Sequence, residues 1–216
     1  MRTAVVYVHG LWMTGLEGVL LRRRLATALN ASTPLFSYPS VRFGVTENAG
    51  LLSEKLRSLD VEALHLVGHS LGGVVICELF AQGHGDRLPP GRVVLLGSPL
   101  TGSVAARNLA AWRMGRMVMG KGVLQELIPL RTRRWREARE LGVIAGTRKL
   151  GLGRIAGIDS RASDGTVLVE ETQIEGAKEH LLLPVSHTGM QLSSEVAART
   201  ASFLRDGTFG RVTHHP

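Results

Sequence analysis

The sequence predicts an α/β fold: a doubly wound, mostly parallel sheet of about six strands with one small helical insert. Three observations carry that prediction. Short apolar-rich runs recur at Ala4–Val8, Ala63–Val67 and Arg92–Leu96, as strands buried on both faces require. Between them lie stretches whose apolar residues fall three and four apart, the helical spacing. The two kinds alternate along 216 residues, a length that suits one substantial core and is short for two.

Taken in order, Ala4–Val8 is the first strand. Gly18–Leu29 follows as a helix, with Leu21, Leu25, Ala28 and Leu29 on one side and Arg22 to Arg24 turned outward. Thr33–Tyr38 is the second strand, stopped by Pro39. Thr46–Leu59 is a helix with Thr46 as its expected N-cap and Leu52, Leu56 and Leu59 at i, i+4, i+7. Ala63–Val67 is the third strand, Leu71–Gln82 a helix closed by Gly83, and Arg92–Leu96 the fourth strand. Leu141–Ala145 and His180–Leu183 complete the sheet, and Ser193–Leu204 is a last helix closed by Gly207.

The alternation lapses between Thr101 and Arg139, where Gly115, Gly120, Gly122 and Pro129 interrupt the pattern. This segment, about 101–139, is too short for a second domain. One domain over 1–216 with a helical cap or lid over the sheet edge is the expectation. From Thr101 to Arg136 the insert carries Arg107, Arg113, Arg116, Lys121, Arg131, Arg133, Arg134 and Arg136 against the single acid Glu126, a net of +7 out of +8 for the whole chain. So clustered a field can draw anionic substrates or an anionic membrane surface; a solvated helical face is the plainer reading.

Hydrophobic residues make up 44% and charged residues 20% of the chain, the balance of a globular domain rather than a disordered one. The single cysteine, Cys77, rules out an internal disulfide and reads as a small buried hydrophobe. No apolar run reaches the roughly 20 residues that span a bilayer. No basic leader precedes Thr3, so a cytoplasmic protein is expected. No nucleic-acid-binding motif accompanies the positive charge, and no nucleic-acid partner is expected.

Gly68-His69-Ser70-Leu71-Gly72 has the form G-x-S-x-G. Five residues with three fixed say little alone. Here the pattern follows an apolar strand and opens a helix, the strand–turn–helix that holds a serine oxygen proud of a sheet edge. Ser70 is therefore the candidate nucleophile. The Leu71 amide, at a helix N-terminus, is one candidate oxyanion donor; the Leu11 amide, directly after His9-Gly10 and the first strand, is the other. Trp12 and Met13, next in that loop, are candidates to line the substrate pocket, with packing under the insert as the alternative.

A serine of this kind needs a base, and the base needs an acid to hold its tautomer. Of eight histidines, His187 falls between the last strand and the last helix, at the sheet edge where Ser70 also points. His180 opens the last strand and is the weaker choice, while His9 and His69 are tied to the oxyanion loop and the elbow. For the acid, Asp164 in Ser163-Asp164-Gly165-Thr166-Val167 is preferred, Asp159 in the same loop is its rival, and Glu170 and Glu171 come after.

These pieces together, with Val8-His9-Gly10-Leu11, Gly68 to Gly73, Gly97-Ser98-Pro99-Leu100, Asp164 to Val167 and Ser186-His187, resemble the compact bacterial esterase/lipase branch of the α/β-hydrolase superfamily. The resemblance spans positions 8 to 187. It implies a minimal α/β-hydrolase fold, a Ser70–Asp164–His187 triad, a Leu11/Leu71 oxyanion hole and no organic cofactor. It also implies an eight-strand core whose first antiparallel pair the chain is expected to lack. Some lipases of this branch hold calcium near the histidine; no acid closely follows His187, so no metal site carries over. The expected activity is carboxylester hydrolysis of a small-molecule or lipid ester. Thioester or amide hydrolysis by the same residues stands as the alternative, and a non-catalytic lipid- or anion-binding protein on this scaffold stands further off.

Overall fold

The computed structural model describes residues 2–112, 117, 119–120, 124, 127–130, 132–150 and 161–210. Among the described residues five parallel strands form one sheet: β1 (Thr3–Val8), β2 (Ala63–His69), β3 (Val93–Leu96), β4 (Leu141–Gly146) and β5 (Glu179–Leu183). Their spatial order is their chain order. Register runs Val6↔Leu66, Gly68↔Leu95, Leu95↔Val143 and Ala145↔Leu182 across the ladders.

Alternate residues of each strand serve opposite faces, and both faces are covered. Ala4, Val6, Leu64, Leu66, Val93 and Leu95 pack under α2 (Val45–Arg57) and α3 (Leu71–Ala81). Val5, Tyr7, Val67, Val94 and Ile144 pack against α1 (Val19–Leu29) and α6 (Ser194–Asp206). Double burial is why these strands read as unbroken apolar runs rather than as an alternation. Two shorter α-helices are α4 (Val104–Ala110), opening the insert, and α5 (Gly189–Leu192), and a 3-10 turn spans Val169–Thr172. Ser103 and Ser193 cap α4 and α6 by accepting the amides of Ala106 and Val196. Cys77 is buried on α3, and burial pushes its thiol up to about 12.

The expected strand at Thr33–Tyr38 does not form. Ser32 makes one parallel bridge to Ala4, and the chain then runs on extended without a ladder. Pro34 has no N–H to donate, which ends the pairing after one residue. The bridge still matters for topology. It lies on the side of β1 away from β2, so the chain reverses its direction of travel across the sheet at β1. The crevice where a parallel sheet binds ligands opens at such a reversal, outside the carboxyl ends of the strands. Thr46 is likewise not an N-cap: α2 begins at Val45 behind Gly44, and the Thr46 hydroxyl donates to Glu78 on α3 at 3.3 Å.

Within the insert, Arg133 donates to the carbonyl of Leu100, Arg107 to that of Ile128, and Arg134 pairs with Glu175. Three of its charges thus hold the insert to the sheet domain or to itself. Arg113, Arg116, Lys121, Glu126 and Arg131 lie outside the described residues. Among the described residues no helix is long and apolar enough to cross a membrane.

Candidate active site

Ser70 sits between β2 and α3 with φ 54° and ψ −123°. A non-glycine residue held there stores on the order of 1–3 kcal/mol of backbone strain. The turn is fixed by the Ser70 amide, which donates to Leu96 O at 2.9 Å, and by the Gly73 amide, which donates to Ser70 O at 3.1 Å. Gly72 makes the turn sterically feasible, since a Cβ there would lie 2.0 Å from the Val8 carbonyl oxygen.

The loop after β1 lies against this elbow. His9 is buried; its Nδ1 is 2.8 Å from Gly10 O, and its Nε2 accepts the Tyr38 amide at 3.1 Å. The Tyr38 hydroxyl returns to His9 O at 2.7 Å, and the two rings stack at 4.1 Å. The amide that would have extended a ladder from Tyr38 is spent on the loop instead. Trp12, at φ 60°, donates its amide to Ser40 Oγ. The Leu11 amide comes from this braced loop, and the Leu71 amide, first in α3, has no helical carbonyl behind it to accept. Leu11 and Leu71 both line the cavity above Ser70.

Asp164 follows β4 and is 1% exposed. Its Oδ1 accepts the amides of Thr166 and Val167 at 2.9 and 2.8 Å, and its Oδ2 lies 2.7 Å from His187 Nδ1. The His187 amide donates to Asp164 O at 2.9 Å, so side chain and backbone both hold the pair. Gly97 leaves room for the carboxylate: at φ 54° it carries no Cβ, which would sit 2.9 Å from Asp164 Oδ2.

A cavity of about 260 Å3 joins these parts. Ser70, His187, Leu11, Leu71, Trp12 and Met13 line it together with Val167 and with Ala106, Leu109, Met119 and Leu127 of the insert. Six of the seven sequence-selected residues therefore meet at one cavity, and Asp164 stands behind His187. Ser70 and His187 meet there without a hydrogen bond between them, a contact that often tightens only around substrate. His180 is elsewhere, bonded to Thr172 Oγ1 at 2.8 Å. Asp159 lies outside the described residues. Glu171 is buried but turned to structure, its carboxylate accepting the amides of Val104 and Leu168; burial pushes its pKa up. Among the described residues no group of three or more His, Cys, Asp or Glu is placed to hold a metal ion.

Two contributors carry no sequence signal: Tyr38, in an apparent strand, and Gln191, in α5. Only the tertiary fold brings them to the site.

Burial makes neutral imidazoles costly to protonate, with a measurable consequence. His65 is held down to about 4 and His69 to about 3, each chiefly by desolvation, against about 6.5 in an unfolded chain. Unfolding below pH 6.5 therefore takes up protons that the folded state refuses. Stability is full above about pH 6.5 and falls as pH drops toward 4 and then 3. The urea midpoint is expected to be lower at pH 5 than at pH 7, a window in which ordinary carboxylates do not titrate. His65→Gln, which can still accept the Arg92 amide now bonded to His65 Nδ1 at 3.0 Å, should flatten that slope. Equal midpoints at the two pH values would contradict it.

A family model described as "Alpha/beta hydrolase family" matches residues 5–199. No protein of curated function matches the chain in sequence. Among solved structures, the mature form of a Bacillus licheniformis lipase superposes with a TM-score of 0.69 at 17% identity, covering 96% of this chain and 92% of that one. Phospholipase PlaB from Legionella pneumophila gives 0.65 at 16%, covering 94% and 55%. A metagenomic carboxyl esterase gives 0.61 at 20%, covering 86% and 64%. At these identities the structural likeness speaks for the fold.

Proposed function

The chain belongs to the alpha/beta hydrolase family, and on that premise we propose that it is a serine carboxylester hydrolase working through an acyl-enzyme. The observation that carries this reading is the buried Asp164–His187 pair, closed at 2.7 Å, opening onto the same cavity as the strained Ser70. Asp164 holds the proton of His187 on Nδ1 and leaves Nε2 free to act as base.

In the first half-reaction Ser70 Oγ attacks the ester carbonyl carbon while His187 Nε2 takes the hydroxyl proton. The carbonyl oxygen becomes an oxyanion, stabilised by the Leu11 and Leu71 amides. Collapse expels the alkoxide, which leaves as an alcohol with the proton from His187. Water then repeats the sequence on the acyl-enzyme, returning Ser70 and releasing the acid. In this reading the insert is a cap. Its Ala106, Leu109, Met119 and Leu127, with Trp12 and Met13, form an apolar acyl pocket.

The apolar lining and the volume of about 260 Å3 suit a short to medium acyl chain. A p-nitrophenyl ester series is expected to peak in kcat/KM at short to medium chains and to fall at long ones. Failure to turn over any member would overturn the ester reading, and parallel thioester and anilide substrates would then reveal a thioesterase or amidase. Running the series with anionic vesicles reports on the basic insert: stimulation of long-chain turnover would mark a lipase drawn to a charged surface.

A further inference from the structure

The first variable position of the G-x-S-x-G turn, His69, is completely buried and does not face the cavity. It nevertheless bonds at both ring nitrogens. Nε2 lies 3.0 Å from the backbone carbonyl of His187, and Nδ1 lies 3.2 Å from Gln191 Nε2. A carbonyl only accepts, so Nε2 carries the hydrogen; Nδ1 is then the acceptor for the Gln191 amide N–H. The same Gln191 nitrogen lies 3.7 Å from Met13 Sδ in the loop after β1. The rings of His69 and His187 meet at 4.7 Å.

We propose that His69 and Gln191 form a buried positioning pair that locks the His187 loop to the nucleophile turn and to the oxyanion loop. This rests on the ester-hydrolase reading above. Asp164 holds His187 from the loop after β4, its carboxylate at ring Nδ1 and its carbonyl at the backbone amide. His69 anchors the remaining backbone group, the His187 carbonyl, from the residue directly before Ser70. Nucleophile and base are thereby referenced to one rigid element, the end of β2. Gln191 selects the His69 tautomer: without its N–H toward Nδ1, the ring could carry its hydrogen there and lose the His187 carbonyl. The groups facing His69 are His187, Asp164 and His9, and burial keeps its imidazole neutral beside them.

The pair acts through geometry, so its loss should fall on kcat rather than KM; misplacement by about 1 Å can cost about a hundredfold in rate. His69→Leu, which keeps bulk and removes the donor, is expected to lower kcat by about ten- to a hundredfold with KM within about twofold. His69→Gln, which can donate to the same carbonyl, should recover most of that loss although it is no more native in shape. Equal loss in both variants, tracking melting temperature, would mean plain packing and overturn the proposal; so would full activity in His69→Leu. Ring 15N–1H correlation spectra of the wild-type protein read the pair without any turnover. They should show His69 protonated on Nε2, unchanged from pH 5 to 8, and switching or averaging tautomers in Gln191→Leu. An Nδ1–H tautomer, or titration in that range, would overturn the proposal even if ester hydrolysis stands. A wild-type protein inactive on esters with the expected His69 spectrum would instead fault the reaction assignment.

Discussion

Ser70→Ala is expected to abolish ester turnover, lowering kcat by on the order of 10^3-fold or more, and to abolish labelling by a fluorophosphonate probe. The probe phosphonylates an activated serine and ignores ordinary hydroxyls, so it reports the nucleophile directly. The backbone at this position makes a sharper, two-sided test available. Ser70 is held at φ 54°, a conformation that penalises any Cβ and not a hydrogen. Ser70→Gly should therefore be as inactive as Ser70→Ala yet more stable than both alanine variant and wild type, by about 1 kcal/mol in urea unfolding. Activity gained at the cost of strain predicts that opposition. Wild-type labelling surviving in Ser70→Ala would move the nucleophile elsewhere.

Asp164→Asn should lower kcat by about 10^4-fold while leaving the fold intact. The magnitude follows from which oxygen does what. Oδ1 accepts two backbone amides, those of Thr166 and Val167, and Oδ2 faces His187 Nδ1. An asparagine has one oxygen to offer. Keeping two amide bonds turns that oxygen to Thr166 and Val167 and points the NH2 at His187. The imidazole must then accept at Nδ1 and carry its hydrogen on Nε2, the nitrogen that should take the Ser70 proton. The base is blocked by tautomer, not by distance. Asp164→Ala should instead cost stability too, because the buried amide of Val167 and the half-buried amide of Thr166 lose their acceptor. A change in kcat of less than about tenfold in Asp164→Asn would transfer the role to Asp159.

Much of the fold was legible in the sequence because burial on both faces writes itself as composition. Val93-Val94-Leu95-Leu96 and Leu141 to Ala145 can hardly be anything but interior strands. Thr33–Tyr38 misled for the converse reason: its β-forming residues are sound, but Pro34 removes the donor that a ladder needs. Thr46 misled because Gly44, two residues earlier, already admits the entry to α2. In the site, Ser70, His187 and the Leu11 and Leu71 amides were legible since each sits at a fixed offset from a strand end. Tyr38 and Gln191 were not. Their contributions are bonds to His9 and His69, 29 and 122 residues away, and such partnerships leave no local pattern.

The agreement between strand order and chain order has a consequence for biosynthesis. During translation each new strand can join the open edge left by the previous one, so the sheet can extend in the direction of synthesis. The opposite edge is met early by Ser32 alone, at Ala4, and the proline-bearing segment behind it extends no ladder along β1. Ser70 and the Leu11 and Leu71 amides precede Asp164 and His187 by about a hundred residues or more. A product stalled between them would display the serine turn and lack its base, so reactivity is withheld until His187 has emerged.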